Sequence, residues 1–500
     1  MPYDVIVVGA GSAGSVAAAE LHRRGVGRVL VLEAGASDFN PLVAMPMGLN
    51  WLIGSKHDWQ LQTIPMREAG MRRVKAPRGK MVGGSGSINS MVWFRGRASD
   101  FDGWGVPGWG YGDIEPVFEA VEKELTPHKM KNVHPLTAGL EAMLPSNSGQ
   151  PTPDHESAGV FSHNMKGGRR NSAARAFLHQ HEIPVTTGVT VDRLTWRGDK
   201  VAGVRLADGT QIDALKGVVL CAGSLMSPAI LMRSGVGPKA ALEKHGIALR
   251  AEAPEMGKNL HDHPAFGIHF EGAGTGYGLE PAQWWAWARA PLDLMLGRGP
   301  LASPTCEGGA FFNARGEGPE PDVQSHFIPF HLDHRGKKYA LRSGYFADVC
   351  LCRPKSRGAL WLASKDPQAA PLFDLGMFRE EEDLDTLTAG VERLRELLGK
   401  AEFGGKRGKE VAPGSAVKGA ALKDAIRNGA GTAYHPVGTC RMGEDEASVV
   451  TPRLAVRGAE RAWVVDASIM PRVTSANTNA PSMMIGWKGA EMIAKDLGVA

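Results

Sequence analysis

Four stretches of this chain carry residue types that could do chemistry. Gly9-Ala10-Gly11-Ser12-Ala13-Gly14 is a G-x-G-x-x-G run, and Glu33 lies nineteen residues beyond its last glycine. The first two glycines permit a tight turn and a close backbone approach to a pyrophosphate, and the third lets a helix pack against a strand. An acid at Glu33 can accept hydrogen bonds from both ribose hydroxyls and argues against a 2′-phosphate. The run from Arg78 to Ser90, with Gly83-Gly84-Ser85-Gly86-Ser87-Ile88-Asn89 at its centre, can present successive backbone N–H groups to an anion or a flavin ring edge. His261-Asp262-His263 spaces two imidazoles as metal ligands might be spaced, but no third ligand stands at usable distance, so no metal is expected. His435 sits in the turn Tyr434-His435-Pro436-Val437-Gly438-Thr439. An imidazole there is either a proton acceptor working near neutrality or a buried ring bonded to a neighbouring carbonyl.

The elements that must hold these residues follow from pattern. Tyr3 to Val8 is a short β-branched run that reads as a buried parallel strand, and Ser12 to about Arg24 is a helix rich in small residues. Arg28 to Leu32 is a second strand, ending on Glu33. Strand, turn, helix, strand and terminal acid in that order make a dinucleotide site, one that serves FAD and NAD alike. Val189–Leu194 and Val201–Leu206 read as a hairpin about Arg197-Gly198-Asp199, and Gly217–Ala222 as a further buried strand of the same sheet. Ser227-Pro228 is an N-cap and N1 pair for a short helix. Phe311-Phe312, Val323–Pro329 and Leu360–Leu362 are expected in a second sheet. Glu380–Lys400 is the longest amphipathic helix, and Asn477-Thr478-Asn479-Ala480-Pro481 opens a final one. Trp284, Trp285 and Trp287 form an aromatic patch expected in a domain core or a site lid.

Composition bounds the class. A chain of 500 residues suggests two domains, interleaved. A net charge of +4 on that length favours neither nucleic acid nor an anionic surface. Five cysteines without framework spacing fit reduced thiols in a cytoplasmic protein. No basic n-region precedes the opening apolar run, and no stretch of eighteen apolar residues exists, so neither a signal peptide nor a transmembrane segment is expected.

Together these motifs resemble the glucose–methanol–choline (GMC) family of FAD-dependent oxidoreductases, nearly end to end. Its first signature is similar to Gly83 through Gly96 and its second to Gly223 through Pro238. Gly257-Lys258-Asn259-Leu260-His261-Asp262-His263-Pro264, Cys352 to Gly358, Tyr434 to Gly443 and Val465-Asp466-Ala467-Ser468 also fit. The region from Lys129 to Pro153 departs from the family, being shortened.

The resemblance implies an α/β protein, with a Rossmann-like FAD-binding domain interleaved with an α+β substrate domain built on an antiparallel sheet. Residues 1–36, 75–97, 185–265 and 444–500 would form the first, and 37–74, 98–184 and 266–443 the second with its connections. It implies non-covalent FAD, because Ile88 stands where some choline oxidases attach the flavin through histidine. His435 and Asn479 would be catalytic, His435 as base. Gly9, Gly11, Ser12, Ala13, Gly14, Glu33, Ala34, Arg78, Val82, Gly84, Asn89, Met91, Val92, Val191, Ala222, Asp466, Ala467, Asn479 and Ala480 would hold the cofactor. Tyr434 and Glu307 would meet the substrate, Glu307 with the tryptophan patch forming a site for a quaternary ammonium. The implied reaction is oxidation of a primary alcohol by hydride transfer to flavin N5, with oxygen or a quinone-type carrier as electron acceptor. A non-redox lyase on the same scaffold and a catalytically silent flavin-binding protein are the alternatives.

Overall fold

The structure, a computed structural model, describes residues 3–144, 151–272, 274–316, 318–331, 342–400 and 408–499. Two seven-stranded sheets organise it. In the first, β1 (Tyr3–Val8) runs parallel to β2 (Val29–Glu33) on one side and to Gln211–Leu220 on the other, and α1 (Ser12–Arg23) connects β1 to β2. Val185–Thr187 extends the parallel set beyond β2, and Ala462–Val464 beyond Leu220. Val5, Ile6, Val7 and Val8 are all buried, as a strand covered on both faces requires. The first half of Gln211–Leu220 instead pairs antiparallel with Lys200–Leu206, which closes the expected hairpin with Val191–Arg197.

The second sheet is antiparallel, in the order Lys409–Ala412, Pro264–Glu271, Gly344–Leu351, Val323–Ile328, Gly308–Phe312, Ser157–Val160, with Gly431–Thr432 also paired to Pro264–Glu271. The helix Glu381–Lys400 packs on it through buried Leu384, Leu387, Val391, Leu394, Leu397 and Leu398, the stripe legible in the sequence. Register places Gly267 opposite Asp348 and His269 opposite Phe346. Alternation then sends these four residues to one face of the sheet.

Three expectations differ from the structure. Ala359–Trp361 pairs with Leu372–Asp374 in a separate two-stranded ribbon, outside the second sheet. The helix placed at Ser227-Pro228 starts a turn earlier and spans Gly223–Arg233. Pro228 sits inside it because the carbonyl its missing N–H leaves free, that of Ser224, accepts a hydrogen bond from the Thr439 hydroxyl at 2.6 Å. Of the two places expected for the tryptophan patch, the core does not hold Trp284 and Trp285: on the helix Trp284–Met295 they are 63% and 81% exposed, with Trp287 half-buried. The stretch from Lys129 to Pro153 holds two short helical turns, Pro135–Ala138 and Gly139–Ala142, and residues 145–150 of it lie outside the described residues. Among the described residues no helix is long and apolar enough to cross a membrane.

Candidate active site

A cavity of about 1120 Å³ joins the glycine turn to His435. Three helix N-termini open on it, those of α1, of Gly223–Arg233 and of Asn479–Asp496, and each offers free N–H groups and a positive dipole end. Of the residues expected to hold a cofactor, Gly9, Gly11, Ser12, Ala13, Glu33, Ala34, Arg78, Gly84, Asn89, Met91, Val92, Val191, Ala222, Asp466, Ala467 and Asn479 line the cavity. Gly14, Val82 and Ala480 stand behind that wall. A Cβ on Gly14 would lie 1.9 Å from the Gly9 carbonyl oxygen, so only glycine lets α1 pack there. Val82 and Ala480 are buried, Val82 donating its N–H to the Ala36 carbonyl.

The glycine turn fits a dinucleotide. The side of Gly11 where a Cβ would project has no atom within 4 Å. Gly84, at φ +52°, brings its backbone so close that a Cβ would lie 2.8 Å from Gly11 Cα. Glu33 takes backbone N–H groups from Ala10 at 3.0 Å and Gly35 at 2.8 Å, which aims its carboxylate across the turn. Burial pushes its pKa up to about 7, against the pull of those donors, the Ala34 N–H and Lys80. Asn479 Nδ2 and Ser224 Oγ are buried polar atoms on the cavity residues with no partner among the described residues. Asp466 draws the wall together by accepting from the Gly223 N–H, the Ser227 hydroxyl and the Ser468 N–H.

Around His435 the cavity is walled by histidines and amides. The His435 N–H donates to Asp262 Oδ1 at 2.8 Å, and the same oxygen accepts the His263 N–H at 2.7 Å. His435 Nδ1 is 3.1 Å from His263 Nδ1, and its Nε2 is 3.3 Å from Asn477 Nδ2. Asn477 Nδ2 also reaches His326 Nε2 at 3.4 Å, and Gln324 Nε2 donates to Asn477 Oδ1 at 3.1 Å. His326 Nδ1 is held by Asp348 at 3.0 Å. Burial, with His263, His326 and Arg78 nearby, holds the His435 pKa well below the usual imidazole range. Burial lowers His326 too, but the Asp348 carboxylate outweighs it and leaves that pKa raised. Tyr434 stands beside His435 at φ +68°, and its carbonyl accepts from the Arg78 guanidinium.

The structure gives the place expected for Asn479 to Asn477. Asn479, expected beside the catalytic histidine, instead accepts the Ser12 hydroxyl at 2.7 Å through Oδ1 and belongs to the glycine turn. Asn477, two residues earlier, is the one at His435. Glu307 does not line the cavity. It is buried and engaged as an acceptor from the His134 N–H and the Thr137 hydroxyl, each at 2.8 Å. None of the three tryptophans lines the cavity either, so the expected ammonium site is not assembled.

Several residues in the site had no role legible in the sequence. His263 is visible there as half of a rejected metal pair and within the Gly257–Pro264 motif. Its neighbour His261 accepts the Val473 N–H at 3.0 Å and faces the Asn259 carbonyl. Among the described residues no three histidine, cysteine or acidic side chains gather as metal ligands. Arg170 is buried and holds the glycine-rich loop by donating to the Gly86 carbonyl at 3.1 Å and Asn89 Oδ1 at 2.8 Å.

Family profiles described as GMC oxidoreductase match residues 3–265 and 354–486. An alcohol dehydrogenase [acceptor] of Pseudomonas putida is 36% identical over 100% of this chain and 97% of its own length. An oxygen-dependent choline dehydrogenase of Rhizobium johnstonii is 35% identical over 99% of this chain and 96% of its own. Among solved structures, pyridoxine 4-oxidase from Mesorbium loti superposes with a TM-score of 0.87 at 28% identity, covering 98% of each chain. A formate oxidase superposes at 0.88 with 24% identity, which speaks to the fold alone. With both profiles and full-length relatives in agreement, the chain belongs to the GMC oxidoreductase family.

Proposed function

We propose that this protein oxidises a primary alcohol to the aldehyde with FAD, using His435 as base. The observation that carries the reading is that His435, with Asn477 at its Nε2, lines the same cavity as the glycine turn. FAD supplies, when bound, a two-electron acceptor that takes hydride at N5. The parallel-sheet half, residues 1–36, 75–97, 185–265 and 444–500, is the cofactor side, and the antiparallel sheet forms the substrate side. Glu33 accepts the ribose hydroxyls, and Gly11, Ser12 and Ala13 give backbone N–H groups to the pyrophosphate. Asn479, with Nδ2 free, and the adjoining helix N-terminus favour negative charge on the cofactor. Ile88 lines the cavity with no nucleophilic atom, so the flavin stays non-covalent.

On the substrate side, His435 Nε2 accepts the hydroxyl proton. Its lowered pKa keeps it unprotonated, and ready to accept, at neutral pH. Asn477 Nδ2, held by Gln324, donates to the alcohol oxygen and steadies the alkoxide that forms. Tyr434 stands at the wall beside it.

The test is anaerobic mixing of the yellow protein with a panel of primary alcohols. Loss of flavin absorbance with aldehyde formed in equal amount is expected. A flavin that no alcohol bleaches would favour the lyase or the silent reading, and comparison with aerobic turnover separates oxygen from a quinone-type acceptor.

A further inference from the structure

His263 packs its ring against that of His435. The carbonyl at its Nε2 points to one arrangement of its protons. His263 is fully buried, and its Nε2 lies 3.0 Å from the Thr474 carbonyl oxygen, an atom that can only accept. The Nε2 of His263 therefore carries the hydrogen. Burial pushes the pKa of this ring down to about 4, so it is neutral and its Nδ1 is a bare lone pair.

That lone pair faces His435 Nδ1 at 3.1 Å. Two ring nitrogens at this distance share one hydrogen, and it must come from His435. A neutral His435 protonated on Nδ1 has its lone pair on Nε2, the nitrogen that meets the amide of the cavity-lining Asn477 at 3.3 Å. The Asn477 amide is consistent with this. With Gln324 donating to its oxygen, its NH₂ group points at His435 and meets a lone pair there. Asp262 Oδ1 accepts both the His263 and the His435 backbone N–H groups, which holds the two rings in register.

We propose that His263 is a positioning residue: with the Thr474 carbonyl as its anchor, it sets the tautomer of His435 so that Nε2 is the basic nitrogen. This rests on the reading of His435 as base. When Nε2 takes the hydroxyl proton, the bond from Nδ1–H to His263 stays as it was and becomes charge-assisted, so the imidazolium is stabilised without a second proton moving.

The first test is the tautomer itself. In FAD-loaded protein labelled with ¹⁵N-histidine, with the His435 signals identified by their loss in His435→Ala, correlation through two bonds should show Nδ1 protonated and Nε2 bare. A His435 protonated on Nε2 in the unsubstituted protein overturns the proposal. The second test compares His263→Leu, which leaves no acceptor, with His263→Asn, whose amide oxygen can stand where Nδ1 stood. The leucine variant should lose about tenfold to a hundredfold in anaerobic flavin reduction and shift His435 toward the other tautomer. The asparagine variant should recover most of the rate. Wild-type rate and tautomer in the leucine variant, or equal loss in both, overturns it. The tautomer of the unsubstituted protein answers alone if the leucine variant does not fold. It also answers separately from the base assignment, since His435→Ala with an unimpaired rate would remove the base and leave the measured tautomer standing.

Discussion

Asn477 presents Nδ2 to His435 Nε2 at 3.3 Å, a pairing of two side chains that both line the cavity. Asn479, one helical step on, serves the opposite task at the Ser12 hydroxyl. The two variants should therefore fail differently. Asn477→Ala should keep its FAD and slow anaerobic flavin reduction by about tenfold to a hundredfold, the effect of one lost hydrogen bond to a developing charge. Asn479→Ala should lose FAD more readily, while its loaded fraction reduces nearer the normal rate. Flavin content and stopped-flow reduction, measured on both, check the division.

The adenine end of the site should respond to pH through Glu33. Its carboxyl titrates near 7 because burial outweighs its backbone donors. Ribose hydroxyls donate to the carboxylate form, so binding favours the deprotonated protein. FAD affinity should then rise with pH, by about tenfold between pH 6 and 8, and level off above that. Glu33→Gln should be weaker throughout and flat across the same range. Titration of apoprotein with FAD, followed by flavin fluorescence, gives the slope.

Much of this was legible in the chain. The βαβ opening is a local pattern in which strand burial, glycine positions and the terminal acid all agree, so it could be read without neighbours. His435 could be located because its turn is itself a motif. The pairing of Asn477 rather than Asn479 with that histidine was not legible, because two residues in one turn differ only by the phase at which the final helix begins. The dyad of His326 and Asp348 was hidden for another reason. It is made by the register of Val323–Ile328 against Gly344–Leu351, a contact between distant segments. Pro228 misled about a helix start because the partner that makes it tolerable, Thr439, is supplied from far along the chain.

Glu307 should prove structural. Its side chain satisfies the His134 N–H and the Thr137 hydroxyl away from the cavity. Glu307→Gln should therefore change KM for choline and for a neutral primary alcohol by the same factor. Glu307→Ala should lower stability by about 1–3 kcal/mol, since it leaves buried donors without partners. Steady-state kinetics with both substrates and thermal unfolding test this, and a choline-specific rise in KM would return Glu307 to the substrate site.

Gly14→Ala should abolish FAD retention. The new Cβ would lie 1.9 Å from the Gly9 carbonyl oxygen and 2.9 Å from the Cys221 Cβ, so α1 must move off the turn it presents to the pyrophosphate. Flavin content after gel filtration reads the effect directly.

The base assignment is tested most directly by anaerobic stopped-flow reduction of the flavin in His435→Ala, which isolates the chemical step from reoxidation. FAD content should stay near normal, because the His435 side chain bonds to His263 and Asn477 and not to the glycine turn. The reduction rate should fall by about 10²–10⁴-fold, and raising the pH should recover part of it as more of the alcohol ionises unaided. A variant that binds FAD and reduces it at nearly the normal rate would contradict the account and require another base.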